Sequence, residues 1–255
     1  MPTTQTSPAP RARAKQTPPT LVLFVRHGTT PTTGQVLPGR APGLHLSDNG
    51  RDQAKRVAER LASLVEHASP PPSPPRPARG RRSPSANQAN QANSGGLRLS
   101  AVYASPLERT RETASPIAAA LSLKVTVRRG LLECDFGEWT GAALKTLAKK
   151  PEWTTVQRYP SGFQFPGGES FSGMQARMVE TTAALVAEHP GEAIVAVSHA
   201  DPIKAVVAAA LGTHLDLFQR IVISPCSVTA ISYGLAGPTV LAVNSTGSLK
   251  ELRPS

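Results

Sequence analysis

Two histidines and two arginines in this chain stand at or within five residues of the ends of three short, largely apolar segments. Leu21 to Val25 runs into Arg26-His27-Gly28-Thr29, and Leu99 to Ala104 runs into Ser105-Pro106-Leu107-Glu108-Arg109-Thr110. Ala193 to Val197 runs into Ser198-His199-Ala200-Asp201-Pro202. Continuous apolar runs of this length have the pattern of strands buried on both faces of a parallel sheet. Parallel strands bring their carboxyl ends to one edge, where ligand crevices of open α/β folds lie. Arg26, His27, Arg109 and His199 are therefore expected to converge.

That cluster suits a phosphoryl group. Guanidinium forks match phosphate oxygens and keep their charge at any working pH. Helix N-termini behind Pro106 and Asp201 would add N–H donors and positive dipole ends. The arginines also hold nearby imidazoles towards the neutral form. A neutral imidazole facing a bound phosphate is a nucleophile. Displacing an alkoxide from phosphorus further calls for a proton donor. Glu133, Asp135 and Glu138 stand close together in the segment Leu131 to Gly141, and residue type alone does not choose among them.

Each of these residues also has a plainer role to weigh. Arg26 and Arg109 could cap helices or face solvent, and His27 alone could be a hydrogen-bonded core histidine. His199 and Asp201 spell a His-x-Asp pair that could bind metal, but the arginines at the same edge would repel a divalent cation, so no metal is expected. Arg40 either contacts substrate or pins its loop. Gly167, Gly168 and Ser170 fit a turn and a helix cap, and His45, His67, His189 and His214 fit structural or solvated positions.

The elements that must position the cluster alternate strand and helix. A helix is expected from Ser47, as N-cap, to about Leu64, with Ala54, Val57, Ala58, Leu61 and Leu64 on one face. The spacing predicts further helices over Pro106 to Leu121 with proline in the first position, Ser170 to Glu188, and Asp201 to Leu211. Lys124 to Arg128 is expected to be a third strand, leading into an irregular stretch from Gly130 to Gly141. Val228 to Tyr233 and Thr239 to Val243 read as two closing strands, partners at a sheet edge. Right-handed crossovers then give an α/β three-layer sandwich, a mostly parallel central sheet with helices on both faces.

The 255 residues carry 28 Lys+Arg against 17 Asp+Glu, a formal charge of +11. Eight of the basic residues lie in two acid-free stretches, Arg11, Arg13 and Lys15 in the first 20 positions and Arg76, Arg79, Arg81, Arg82 and Arg98 between 68 and 98. The remainder is nearly balanced, so nucleic acid is not an expected partner. Both stretches are rich in Pro, Ser, Ala, Asn and Gln and poor in large apolar residues, the composition of disorder. The expected organisation is a tail over 1–19, one domain over 20–246 with an insertion at 69–96, and a tail over 247–255. The first apolar run is too short for a secretory signal, and nothing approaches the ~20 apolar residues of a membrane span. Cys134 and Cys226 are too few for a disulfide framework, which fits a reducing cytoplasm.

Four segments together resemble the histidine phosphatase superfamily, also called phosphoglycerate mutase-like. They are Arg26-His27-Gly28-Thr29, Ser105 to Thr110, Leu131 to Gly141, and Ser198-His199, and the resemblance runs from Leu21 to Asn244 apart from the insertion. The Leu37-Pro38-Gly39-Arg40 turn, Pro166 to Ser170 and His214 to Ile221 are most similar to an actinobacterial-type subfamily named after phosphomutases. The resemblance implies that His27 becomes phosphohistidine, that Arg26, Arg109 and His199 hold the transferring oxygens, and that Glu133 is the proton donor. It also implies substrate contacts from Gly28, Thr29, Thr33, Gly39, Arg40 and Ala200. Thr33 falls where many relatives use Asn, and Ala200 replaces a common Gly, which narrows the pocket. The expected activity is hydrolysis of a small phosphomonoester without cofactor. The alternative is a phosphomutase primed by a bisphosphorylated compound, and the distant alternative is a non-catalytic binding module with basic arms. Glu133 and His199 are 66 residues apart and 11 residues follow Asn244. The family's mutases are longer at both places, which favours the phosphatase.

Overall fold

A computed structural model describes residues 17–65 and 98–247. The expected insertion, and the expected tails apart from 17–19 and 247, fall outside the described residues.

Six strands form one sheet: β1 (Thr20–Arg26), β2 (Leu99–Ala104), β3 (Val125–Val127), β4 (Ala193–Ser198), β5 (Val228–Gly234) and β6 (Gly237–Ser245). Their spatial order is β3-β2-β4-β1-β5-β6. The first four are mutually parallel, and the β5–β6 hairpin adds antiparallel to β1. β5 is thus an interior strand, in register with β1 from Thr20 to Val25, and of the pair only β6 is an edge. This corrects the expectation that both closing strands pair at the edge. Ala230 and Ile231 of β5 have no exposure, so the strand covers β1 with apolar side chains on both faces.

Alternate residues of a strand face opposite sides, and β1 shows the consequence. Leu21, Leu23 and Val25 pack with Val57, Leu61 and Ile117 on one side. Val22 and Phe24 pack with Met178, Ile203 and Val206 on the other. The helices that supply these residues are α1 (Asp48–Val65) and α2 (Glu108–Ala120) on the first face, and α5 (Phe171–Glu188) and α6 (Ala200–Ala210) on the second. Two short helices, α3 (Leu144–Leu147) and α4 (Glu152–Arg158), have no counterpart in the sequence reading, being too short for an amphipathic period.

Two helix starts bear on the site. Ser47 caps α1 as expected: its Oγ accepts from the Gly50 N–H at 3.1 Å and donates to the Thr29 carbonyl at 3.0 Å, tying the helix to the loop after His27. α2 begins at Glu108, two residues later than expected. Leu107 is extended (ψ 146°) and nearly buried, so Pro106 belongs to the strand-to-helix turn and is not the first helical residue.

A third cluster gathers five of the six phenylalanines and both tryptophans, Trp153 at its margin, around Phe165 and Phe171. It forms one flank of the cavity described next.

Candidate active site

Strand pairing assembles the centre. The Arg26–Ser198 register and the His27 N–H to Ser198 carbonyl bond (3.0 Å) align the ends of β1 and β4. The Ser105 N–H to Val197 carbonyl bond (3.0 Å) aligns β2. The His27 and His199 rings meet edge to face with centroids 5.2 Å apart.

His27 Nδ1 lies 2.8 Å from the Gly28 carbonyl oxygen. A carbonyl can only accept, so Nδ1 carries the proton and the neutral ring keeps its lone pair on Nε2. Burial, and then the Arg109 and Arg26 charges, hold this imidazole well below the usual 6.5. His199 is held low for the same reasons, burial first and Arg109 next. Its Nε2 pairs with the Ser105 hydroxyl at 2.9 Å, and its Nδ1 faces Glu133 Oε2 at 3.9 Å.

Arg109 is fully buried at the first turn of α2. Its Nη2 donates to the Gly39 carbonyl at 2.7 Å, while Nε and Nη1 find no acceptor among the described residues. Arg26 donates from Nη1 to the Ile223 carbonyl at 2.7 Å, and its Nε is likewise buried without an acceptor. Buried donors are nearly always paired. Three unpaired guanidinium N–H positions thus stand beside two neutral imidazoles, donors of the kind that match the oxygens of an oxyanion.

Glu133 is the one carboxylate of the three candidates on the cavity wall. Burial, and then the negative Asp201, push its carboxyl up to about 7 against the pull of Arg109. Asp135 is turned towards Arg40 and the Gly137 N–H, and Glu138 is exposed.

The cavity has a volume of about 300 Å³. Its lining includes Arg26, His27, Thr33, Glu133, Ala200 and Asp201 together with the apolar Leu37, Phe136 and Trp153. Arg109 and His199 are buried behind this wall and do not line it.

Several expected substrate contacts are committed elsewhere. The Gly28 N–H donates to Thr113 Oγ1 at 3.0 Å, and a Cβ on Gly28 would meet the Gly50 carbonyl oxygen at 2.6 Å, so this glycine lets α1 press against the histidine loop. The Thr29 N–H and hydroxyl both donate to Gln53 Oε1 at 2.9 Å. Gly39 offers Arg109 its carbonyl from a positive-φ turn (φ 52°). Arg40 does not line the cavity, because its guanidinium is taken up by the Glu133 carbonyl, Asp135 and Glu169. Thr33 and Ala200 do line it. The Thr33 hydroxyl accepts from the Thr30 N–H at 2.8 Å.

The sequence reading missed Lys204 and Gln219 in the wall, joined at 3.1 Å, and the Glu169–Arg177 pair behind Glu133. Asp201 and Lys204, three residues apart on α6, carry a signal in their spacing. The others come from distant segments and carry none. His45, His189 and His214 are engaged with Glu112, Tyr103 and the Asp216 N–H, and His67 lies outside the described residues. Among the described residues no three His, Cys, Asp or Glu side chains form a group able to hold a metal. No helix there is long and apolar enough to cross a membrane.

The fold and site thus define an α/β protein with two neutral histidines and unpaired guanidinium donors gathered at the carboxyl edge of its parallel strands. The chain matches the Histidine phosphatase superfamily (branch 1) over residues 22–70 and 78–246, and it belongs to that family. It is 28% identical over 218 residues to phosphoserine phosphatase 1 of Hydrogenobacter thermophilus, covering 84% of this chain and 88% of that one. A bifunctional protein of Mycobacterium tuberculosis is 33% identical over 153 residues, 59% of this chain. That match spans about two fifths (42%) of the mycobacterial protein. The fold is shared with the crystal structure of a phosphoserine phosphatase mutant from Entamoeba histolytica (TM-score 0.70, 21% identity, 89% of this chain and 98% of that one). It is also shared with a mycobacterial glucosyl-3-phosphoglycerate phosphatase (TM-score 0.68, 22% identity, 89% and 99%).

Proposed function

We propose that this protein hydrolyses a small phosphomonoester through a phosphohistidine at His27, without a metal. The observation that carries this is the Nδ1 bond from His27 to the Gly28 carbonyl, because it leaves the Nε2 lone pair as the ring's free nucleophile. Nε2 attacks phosphorus, the bond to the ester oxygen breaks, and Glu133 gives that oxygen its proton. Glu133, now a carboxylate, takes a proton from water as the water attacks phosphohistidine, which releases inorganic phosphate and restores both groups. Arg26, Arg109 and His199 stabilise the oxygens of the transferring group, and Thr33 and Ala200 line the approach. The arginines supply the positive charge that a divalent cation would otherwise bring.

The catalytic unit on this reading is residues 20–246, with 69–96 dispensable and a small phosphate ester as partner. The two buried free thiols, Cys134 and Cys226, suit a reducing cytoplasm. Incubating the purified chain with a generic phosphate ester tests the proposal. Release of alcohol and inorganic phosphate in equal amounts, lost in His27→Ala, supports hydrolysis. Transfer to a second hydroxyl without phosphate release would favour a primed mutase, and no turnover of any ester would favour a binding module.

A further inference from the structure

Glu133 sits in a stretch, Leu132 to Phe136, that is neither helix nor strand. Main-chain carbonyls in such a segment need partners from outside it. Two guanidiniums provide them. Arg177, on α5, donates from Nη1 to the Gly130 and Leu132 carbonyls at 2.6 and 3.0 Å, and from Nη2 to the Glu133 carbonyl at 3.5 Å. Arg40 donates from Nε to the same Glu133 carbonyl at 2.8 Å. The main chain of the proposed proton donor is therefore gripped by two cations that repel one another.

Glu169 lies between them. Its carboxylate takes a two-pronged contact from Arg177, Nε to Oε1 and Nη2 to Oε2, both at 2.9 Å, and a third bond from Arg40 Nη2 to Oε2 at 3.0 Å. The Asp135 N–H reaches Oε2 at 3.3 Å, and the Glu169 N–H returns to the Asp135 carbonyl at 2.8 Å. The close approach depends on glycine: a Cβ on Gly137 would meet the Pro166 carbonyl oxygen at 2.1 Å, and one on Gly168 would meet the Asp135 carbonyl oxygen at 2.4 Å. None of Arg40, Glu169 and Arg177 lines the cavity. Cys134 and Phe136 of the Glu133 segment also pack into the aromatic cluster around Phe165 and Phe171.

We propose that Glu169 is a positioning residue for Glu133, acting through the Arg40 and Arg177 guanidiniums that hold the Glu133 main chain. The inference rests on Glu133 being the proton donor. With the carboxylate removed, the two cations separate, the Glu133 carbonyl loses its fixed partners, and the carboxyl drifts from its station 3.9 Å from His199 Nδ1. A misplaced acid harms the departure of a poor leaving group and leaves attack by His27 intact.

The test compares Glu169→Gln with the unaltered protein on an alkyl phosphate and on an aryl phosphate with an acidic phenol, beside Glu133→Gln and the double variant, with thermal unfolding recorded for each. The expected result is a loss of about tenfold or more in kcat/KM, which reports formation of the phosphohistidine and not its hydrolysis, on the alkyl ester and a change of less than about threefold in kcat/KM on the aryl ester. In the Glu133→Gln background Glu169→Gln should cost nothing further, because two residues serving one step are not additive. Equal losses on both esters, or a full additional loss in the double variant, overturn the proposal and indicate a merely structural role. If Glu133→Gln itself fails to discriminate between the esters, the proton-donor assignment falls and the proposal with it. If Glu133→Gln discriminates and Glu169→Gln does not, only the positioning role falls. Arg177→Lys keeps the charge but loses the fork. It must show the same selectivity, and it decides the matter if Glu169→Gln does not fold.

Discussion

The Nη2 of Arg109 is held 2.7 Å from the Gly39 carbonyl while its Nε and Nη1, equally buried, have no acceptor among the described residues. One bond to Gly39 thus fixes the orientation of the guanidinium and leaves two of its nitrogens unpaired, the donors that the proposed function assigns to phosphate oxygens.

A buried cation with two unsatisfied donors costs stability, and sites of this kind trade stability for function. Arg109→Met should therefore leave the melting temperature unchanged or raise it while reducing kcat/KM by ~10² or more. Inorganic phosphate should raise the melting temperature of the unaltered protein, since it binds only the folded state, and should not raise that of Arg109→Met. Thermal melts with and without phosphate check both points.

Glu133 gives the pH dependence. Its carboxyl is pushed up to about 7 in the folded protein from an ordinary value of 4.5. Between those values Glu133 holds more protons in the folded than in the unfolded state, so its contribution to stability falls as pH rises through this window, by up to roughly 3 kcal/mol, while His27 and His199, kept neutral by the fold, contribute the opposite slope below about 6.5. Glu133→Gln should remove that slope and be the more stable form at pH 8. Turnover of alkyl phosphates should decline above about pH 7, where the acid has lost its proton. The histidines, held well below 6.5, set no limit near neutrality. Denaturant titrations and rate profiles between pH 5 and 8 are the measurements.

Gly28 bears on the site by its size. A methyl group there would sit 2.6 Å from the Gly50 carbonyl oxygen, and one on Gly50 would sit 2.0 Å from the Thr29 carbonyl oxygen. Gly28→Ala should lower stability by about 1–3 kcal/mol and also reduce kcat, because the loop carrying the Nδ1 acceptor of His27 must shift. A denaturation curve that matches the unaltered protein, with full activity, would contradict this.

Treatment with a chelator should leave the rate unchanged, since Arg26 and Arg109 supply the positive charge. Activity lost to chelation and restored by zinc or manganese would contradict it. Replacing residues 69–96 by a short Gly-Ser link should also leave turnover unchanged, because closure cost grows only slowly with loop length.

What the chain disclosed in advance follows from where each residue stands. Arg26, His27, Ser105 and His199 directly follow apolar runs, so strand pairing alone determines that they meet. Glu133 is not legible by residue type beside Asp135 and Glu138; the family resemblance selects it, and its burial on the cavity wall sets it apart from the other two. Arg40 lay open between substrate contact and loop anchor, and three acceptors on distant segments decide for the anchor. Glu169 and Arg177 were invisible because their meaning lies in contacts with the carbonyls of another segment, and main-chain carbonyls leave no mark in a sequence. The extended Leu107 shifted the start of α2 because burying that side chain outweighed the preference of Pro106 for a first helical turn.

The central claim is that His27 carries the phosphoryl group, and rapid quenching into base during a single turnover of a labelled phosphate ester tests it most directly. A phosphoramidate, stable in base and labile in acid, should appear on the peptide containing Arg26 and His27 and be absent, together with turnover, in His27→Ala. Arg109→Ala should slow its formation without moving the label, and His199→Ala should do the same. Label on His199 would exchange the roles of the two histidines. Full activity with no covalent intermediate on either would contradict the account and leave direct attack by water between the same arginines.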